Sequence, residues 1–407
     1  MKKERTQMSK FVQVLIVGVF IALANGSGYV WSVYGSYMMS QNGWTATMAS
    51  LPYTLNVIVS AFSPLIGGMI CDRYKPKYSV WLAGLLYFLG WYLCGSVNSP
   101  WAIILLYGFL LGAAQGINPN AVTSTTTKWA PENKRGLAAG IGMAANGLSS
   151  LYMAPLAVTL LAIGLTKAFH TMAFISGGLC LIGGFFLLTP ENRESDLDRA
   201  ARKEADKAYF KKVVKTDRFW LLWVIYAISL IGGGVVFSQC ANIARLQANW
   251  AGGYVLVAIL AVANGGGRVL FNAISDRLGI YRTFTLMYVL SIAGMAILMF
   301  ASSIPMLVIG VLLVGSTFGA TNSILYPAAA YEFGTANLSR VVAFLVIGFL
   351  FNGFLGSTIA GVCLDATGTY TLAYVFGIVM LAVSIVLVQF LRKAHDKAFA
   401  GKAAIAE

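Results

Sequence analysis

The chain has 407 residues, 58% of them hydrophobic and 11% charged, with a formal net charge of +14 and a mean hydropathy of +0.74. That balance excludes a soluble globular protein and predicts an all-α integral membrane protein, because only helices or closed barrels satisfy the backbone inside a bilayer. In a soluble chain the basic excess would point to nucleic acid; here Lys and Arg fall on alternate loops between apolar runs, so they encode topology and no nucleic-acid partner is expected.

The opening Met1 to Lys10, carrying Lys2, Lys3, Arg5 and Lys10, has the charge of a secretory leader. The apolar run behind it continues from Phe11 to Tyr34, too long for a leader and without a small-residue cleavage site, so it reads as a retained first helix. About 20 apolar residues are needed per crossing, and five more runs of that kind follow: Met48 to Ile70, Ser79 to Gly95, Ala102 to Thr127, Gly136 to Leu165 and Thr171 to Leu188. After the long charged stretch Glu191 to Arg218 come another six: Phe219 to Asn242, Tyr254 to Ile274, Thr283 to Met299, Pro305 to Ala330, Val341 to Val362 and Leu372 to Leu391. The expected organisation is a six-helix half over 1–190, a solvated linker over 191–218, and a second half with a short tail over 219–407.

With both termini in the cytoplasm, 26 of the 29 Lys and Arg residues fall inside, Lys167 and Arg245 fall outside, and Arg268 lies in the membrane. Basic residues are retained on the cytoplasmic side, so the expected location is the inner, cytoplasmic membrane with both termini inside. The five cysteines, Cys71, Cys94, Cys180, Cys240 and Cys363, lie in or beside apolar runs without paired or metal-like spacing, and read as small core residues. No metal, cofactor or enzymatic constellation is expected: no nucleophile-base-acid set is present, and Gly265 to Gly267 is a glycine run within a membrane helix, unlike a phosphate-binding loop.

Arg268 is the one charge between Tyr254 and Ile274. A cation at that depth costs a few kcal/mol unless neutralised or led to water, so it asks for an anion; the glycines beside it could instead let it bond helix carbonyls. Asn118, Asn120, Asn264, Asn322 and Asn352 are expensive to face lipid, and either line a wet cavity or bond between helices. The acidic residues all sit in loops or at helix ends, including Asp72, Asp276, Glu332 and Asp365, and the two histidines are His170 and His395. No residue stands out as a membrane-embedded proton carrier.

Asp72-Arg73 follows the second run within Gly68-Met-Ile-Cys-Asp72-Arg73-Tyr-Lys75, and Asp276-Arg277 follows the eighth within Asn272-Ala-Ile-Ser-Asp276-Arg277-Leu-Gly279. This repeat resembles the G-x-x-x-D-R-x-G-R-R loop of the major facilitator superfamily, with Lys75 and Asn272 standing where the pattern has Gly, and it implies that fold: twelve transmembrane helices in two related six-helix halves. An acidic residue at such a helix end can pair with arginines or a neighbouring helix N-terminus when the halves close there, so Asp72, Arg73, Asp276 and Arg277 are expected to act in gating.

Four further stretches resemble the oxalate/formate antiporter branch, related to the monocarboxylate transporters: Tyr29-Val-Trp31 in the first helix, Lys128-Trp129-Ala-Pro131 after the fourth, Phe219-Trp220 opening the seventh, and Tyr326-Pro327 in the tenth. The resemblance implies alternating-access transport of small carboxylates, with Arg268 at the position of the substrate-binding arginine and Tyr29 retained. It also shows departures. The lysine of the eleventh helix in oxalate carriers has no equivalent between Val341 and Val362, and the aromatic positions hold Pro119, Asn146 and Ser323. One fixed cation favours a monoanion in a roomier, hydrogen-bonding site. The expected substrate-binding set is therefore Arg268, Tyr29, Asn118, Asn120, Asn146, Asn264, Asn322 and Asn352, in a monomeric carrier of a small organic anion within the lipid bilayer. Antiport, uniport and symport of a substrate-borne proton all fit. Export of hydrophobic or cationic compounds would predict an intramembrane acid and a Gly-Pro-rich fifth helix, and a non-transporting sensor would predict a longer tail or added domain; the sequence offers neither.

Overall fold

A computed structural model describes residues 2–131, 141–142, 145–147, 149–188, 209–334 and 338–403. Among these residues twelve helices are long and apolar enough to cross a membrane. They are α1 (Met8–Gln41), α2 (Ala46–Cys71), α3 (Pro76–Ser96), α4 (Pro100–Trp129), α5 (Ala145–Ile163) and α6 (Leu165–Phe186), then α7 (Asp217–Ala248), α8 (Gly253–Leu278), α9 (Ile280–Met299), α10 (Ile304–Phe333), α11 (Val341–Thr367) and α12 (Thr371–Ala398). Twelve crossings bring both chain ends to one side of the bundle, the termini end; the other side is the far end.

The turns follow local chemistry. Proline at the first helical turn opens α3 and α4, where its missing N–H costs nothing. Gly279, at φ +79°, separates α8 from α9 with a single residue, a backbone conformation that a side chain would strain.

Within each half, glycines let helix backbones touch. A Cβ at Gly267 of α8 would stand 2.0 Å from the Ser316 carbonyl oxygen of α10, and one at Gly319 of α10 would stand 2.0 Å from the Asn264 carbonyl oxygen of α8. Apolar burial does not drive association between helices in lipid, so close packing through small residues takes its place. α8 and α10 are thereby interlocked from both sides.

Among the described residues, packing between the halves is concentrated toward the far end. The far portion of α1, Ser27–Gln41, lies on the far portion of α7, Ile231–Ala248; α2 lies on α11; and α5 lies on α8. α11 is irregular where it meets α2 and α7: a 3-10 turn, Val346–Phe349, precedes a π-helical stretch, Asn352–Ser357. Glycines make that meeting close, with a Cβ at Gly356 falling 2.3 Å from the Ile231 carbonyl oxygen and one at Gly353 falling 2.6 Å from Val57 Cβ. Over- and underwound turns of this kind re-aim side chains and often accompany functional positions.

Candidate functional site

Arg268 stands midway along α8, half-buried. One turn toward the far end, Gly265 meets Gly147 of the other half, where a Cβ on Gly147 would come within 3.6 Å of the Gly265 Cα. Arg268 therefore sits one turn to the termini side of a close contact between the halves. Asn146, next to Gly147, is half-buried on the opposing helix, and its Oδ1 has no partner among the described residues.

The arginine is held along one face of α8 by residues four positions to either side, the spacing that stacks side chains on a helix. Its Nε donates to Asn264 Oδ1 at 3.2 Å. Asn272 Nδ2 donates to the Arg268 carbonyl oxygen at 2.6 Å and to Ser323 Oγ of α10 at 2.8 Å. Among the described residues, neither Nη1 nor Nη2 has a hydrogen-bond acceptor, and no carboxylate pairs with the guanidinium. Within the described residues, the outer edge of the fork is thus left with its donors unspent.

Two tyrosines lie within electrostatic reach of this cation, Tyr226 of α7 and Tyr326 of α10. Tyr226 is buried and donates to Asn322 Oδ1 at 2.8 Å, while Asn322 Nδ2 donates to the Phe318 carbonyl oxygen at 2.9 Å. Tyr326 is 41% exposed. A planar guanidinium whose terminal nitrogens have no acceptor among the described residues matches a carboxylate bidentately. With one cation in the cluster, a monoanion neutralises it.

The structure brings together Arg268, Asn264 and Asn322 from the residues expected to bind substrate. It uses others elsewhere. Asn118 Nδ2 bonds the Ile21 carbonyl oxygen at 3.2 Å and Asn25 Oδ1 at 3.0 Å, the Asn25 oxygen also accepting from Tyr87 Oη, so this amide ties α4 to α1 and α3. Asn120 Nδ2 bonds the Pro64 carbonyl oxygen of α2 at 2.9 Å. Asn352 is fully buried and approaches Tyr53 Oη of α2 at 3.4 Å, across the seam toward the far end. Tyr29 lies on α1, and Asp72 and Arg73 lie at the end of the second helix; their side chains are outside the described residues. Asp276 and Arg277 are exposed at the end of α8, with no partner among the described residues.

Sequence reasoning did not assign Tyr226, Tyr326 or Asn272 to the site, and reached Ser323 only as the residue at an aromatic position of the resembling carriers. Asn272 was legible in principle, because Asn264, Arg268 and Asn272 share a four-residue register. Nothing distinguished Tyr226 from an ordinary core tyrosine.

A second polar cluster lies at the termini end. Glu332 of α10 is 2% exposed. Its Oε2 pairs with Arg218 Nη1 at 3.2 Å and with His395 Nδ1 of α12 at 3.0 Å, and its Oε1 accepts from Tyr281 Oη of α9. His395 also stacks on Tyr331, with ring centroids 4.7 Å apart. Four helices of the second half converge on this carboxylate.

A model of the Major Facilitator Superfamily matches residues 15–243 and 241–406. The chain is 26% identical over 369 residues to the oxalate:formate antiporter of Oxalobacter formigenes, covering 86% of this chain and 85% of that protein. It is 24% identical over 342 residues to monocarboxylate transporter 13 of Rattus norvegicus, covering 82% and 78% of the two chains. A crystal structure of a variant of the nucleoside transporter NupG superposes with a TM-score of 0.74 at 13% identity, covering 95% of this chain and 99% of that one.

Proposed function

The chain belongs to the Major Facilitator Superfamily and is a membrane transporter, and we propose that it carries a small organic anion, a monocarboxylate, by alternating access. The observation that carries this reading is the free outer edge of Arg268, whose Nη1 and Nη2 have no acceptor among the described residues while Asn264 holds its Nε. The similarity to carriers named for oxalate, formate and monocarboxylates supports the substrate class.

In this reading the carboxylate lies against the Arg268 fork, and the Tyr226 and Tyr326 rings bound the space around it. A single cation sets the preference for one carboxylate over two. Asn146, across the seam, has a buried Oδ1 without a partner among the described residues, and a small shift of its side chain would bring that acceptor to a hydroxyl on the cargo. No acid takes part in the Arg268 cluster among the described residues, so exchange, uniport, or symport with the proton carried on the substrate accounts for movement without a dedicated relay. The Lys and Arg distribution supports cytoplasmic termini, and in that orientation the close far-end packing lies on the outer side of Arg268.

Ligand binding to the folded state raises its apparent stability. Thermal shifts of the purified protein and of Arg268→Gln against mono-, di- and hydroxycarboxylates, amino acids and neutral analogues test the proposal. A monocarboxylate is expected to stabilise the parent and not the variant. Stabilisation only by neutral or cationic compounds, or an unchanged response in a folded variant, overturns it.

A further inference from the structure

α2 and α11 run antiparallel across the seam, and the last turn of α11 delivers a carboxylate to the first turn of α2. Asp365 Oδ1 accepts from the Ala46 backbone N–H at 2.7 Å and Oδ2 from the Thr47 backbone N–H at 2.7 Å. These two groups belong to the opening turn of a helix, whose N–H donors have no intrahelical acceptor. The local cap residue, Thr45, already serves Met48 N at 3.2 Å. The other half of the molecule therefore completes the cap of α2, and the charge also meets the positive end of the helix dipole.

Below Asp365 the contact continues with weaker links. Ser357 Oγ donates to the Ser50 carbonyl oxygen at 3.1 Å, and Thr54 Oγ1 and Thr358 Oγ1 are 3.2 Å apart. A Cβ on Gly361 would stand 2.7 Å from the Ala46 carbonyl oxygen, so the two backbones are in direct contact at this level. Both Asp365 bonds cross between halves and are short and charge-assisted, the strongest class of hydrogen bond available here.

We propose that Asp365 is the latch of the far gate: its bonds to Ala46 and Thr47 hold the halves together at the far end, and opening there requires their release. The latch is a carboxylate on a helix N-terminus rather than an ion pair, so it needs no cationic partner. It rests on alternating access and not on the nature of the cargo.

The test uses the full chain in vesicles with its five cysteines replaced by serine and a single reporter cysteine. Val57→Cys reports the far seam, since Val57 is covered by Gly353; Tyr326→Cys reports the space beside Arg268. Labelling by a membrane-impermeant maleimide is followed from each side separately. Losing two charge-assisted bonds raises far-side labelling of the Val57→Cys reporter by about tenfold or more in Asp365→Ala, with Asp365→Asn, which keeps one acceptor oxygen, in between. Labelling of the Tyr326→Cys reporter stays level or falls. Unchanged far-side labelling overturns the latch, and so does an equal rise at both reporters, which marks general loosening. Loss of the carboxylate response in Arg268→Gln bears on the substrate reading alone.

Discussion

Asn264 and Arg268 stand one helical turn apart on α8, and the asparagine Oδ1 accepts the arginine Nε–H at 3.2 Å, so the buried amide fixes the plane in which the guanidinium presents its other donors. Orientation and charge are separable in this arrangement, and substitutions can remove one without the other.

Arg268→Lys keeps the charge and loses the planar fork. Truncating one partner of a buried charged pair costs about 2–5 kcal/mol, so Arg268→Gln is expected to weaken carboxylate binding by roughly thirtyfold or more, with Arg268→Lys intermediate. Counterflow or direct binding with a labelled monocarboxylate measures both. Equal affinities in all three proteins would remove Arg268 from the site.

Asn264→Leu leaves Nε unbonded without changing the charge. The expected loss is one hydrogen bond to a charged group, about 1.5–3 kcal/mol at most, and it should vanish when Arg268 is already Lys. Asn264→Asp places an anion on the guanidinium and should abolish carboxylate binding. A double-mutant cycle over Asn264 and Arg268 checks the coupling; additive effects would refute the positioning role.

Three consecutive glycines offer an internal comparison. A Cβ at Gly267 falls 2.0 Å from the Ser316 carbonyl oxygen, whereas a Cβ at Gly266 meets nothing within 4 Å. Overpacking costs about 1–3 kcal/mol, so Gly267→Ala should lower the melting temperature by several degrees and Gly266→Ala should not. Circular dichroism melts in detergent decide it.

Glu332 gives a stability test remote from the cargo. Removing one member of a buried ion pair costs up to about 3–5 kcal/mol, because the charge left behind is short of a partner, here Glu332 with only Tyr281 and His395 remaining. Arg218→Met alone should therefore destabilise the protein more than Arg218→Met combined with Glu332→Leu. A double variant less stable than the single would show that Tyr281 and His395 satisfy the carboxylate without the arginine.

The spans were legible because hydropathy over some 20 residues is a strong signal, although the helices run past the apolar limits: α1 reaches Gln41 beyond Tyr34, and α7 reaches Ala248 beyond Asn242. Backbone hydrogen bonding continues into polar turns that a hydropathy window cuts off. Arg268 was legible because a lone charge in an apolar run is conspicuous by itself. The direction of an asparagine was not: Asn118 and Asn264 look alike in sequence, yet one knits α4 to α1 and α3 while the other sets an arginine. Tyr226 and Glu332 acquire their roles from helices about 40 to 110 residues away, α8 and α10 for the tyrosine and α7, α9 and α12 for the carboxylate. Periodicity along one helix carries no trace of such partners.

The interlocked glycines of α8 and α10 bear on how force passes through the protein. With Gly267 seated on Ser316 and Gly319 seated on Asn264, there is no slack between the helix that carries the arginine and the helix that carries Tyr326 and Glu332. A pull on the guanidinium is thereby passed from α8 to α10, as through a keyed shaft, instead of being absorbed by a local shift of one helix past the other.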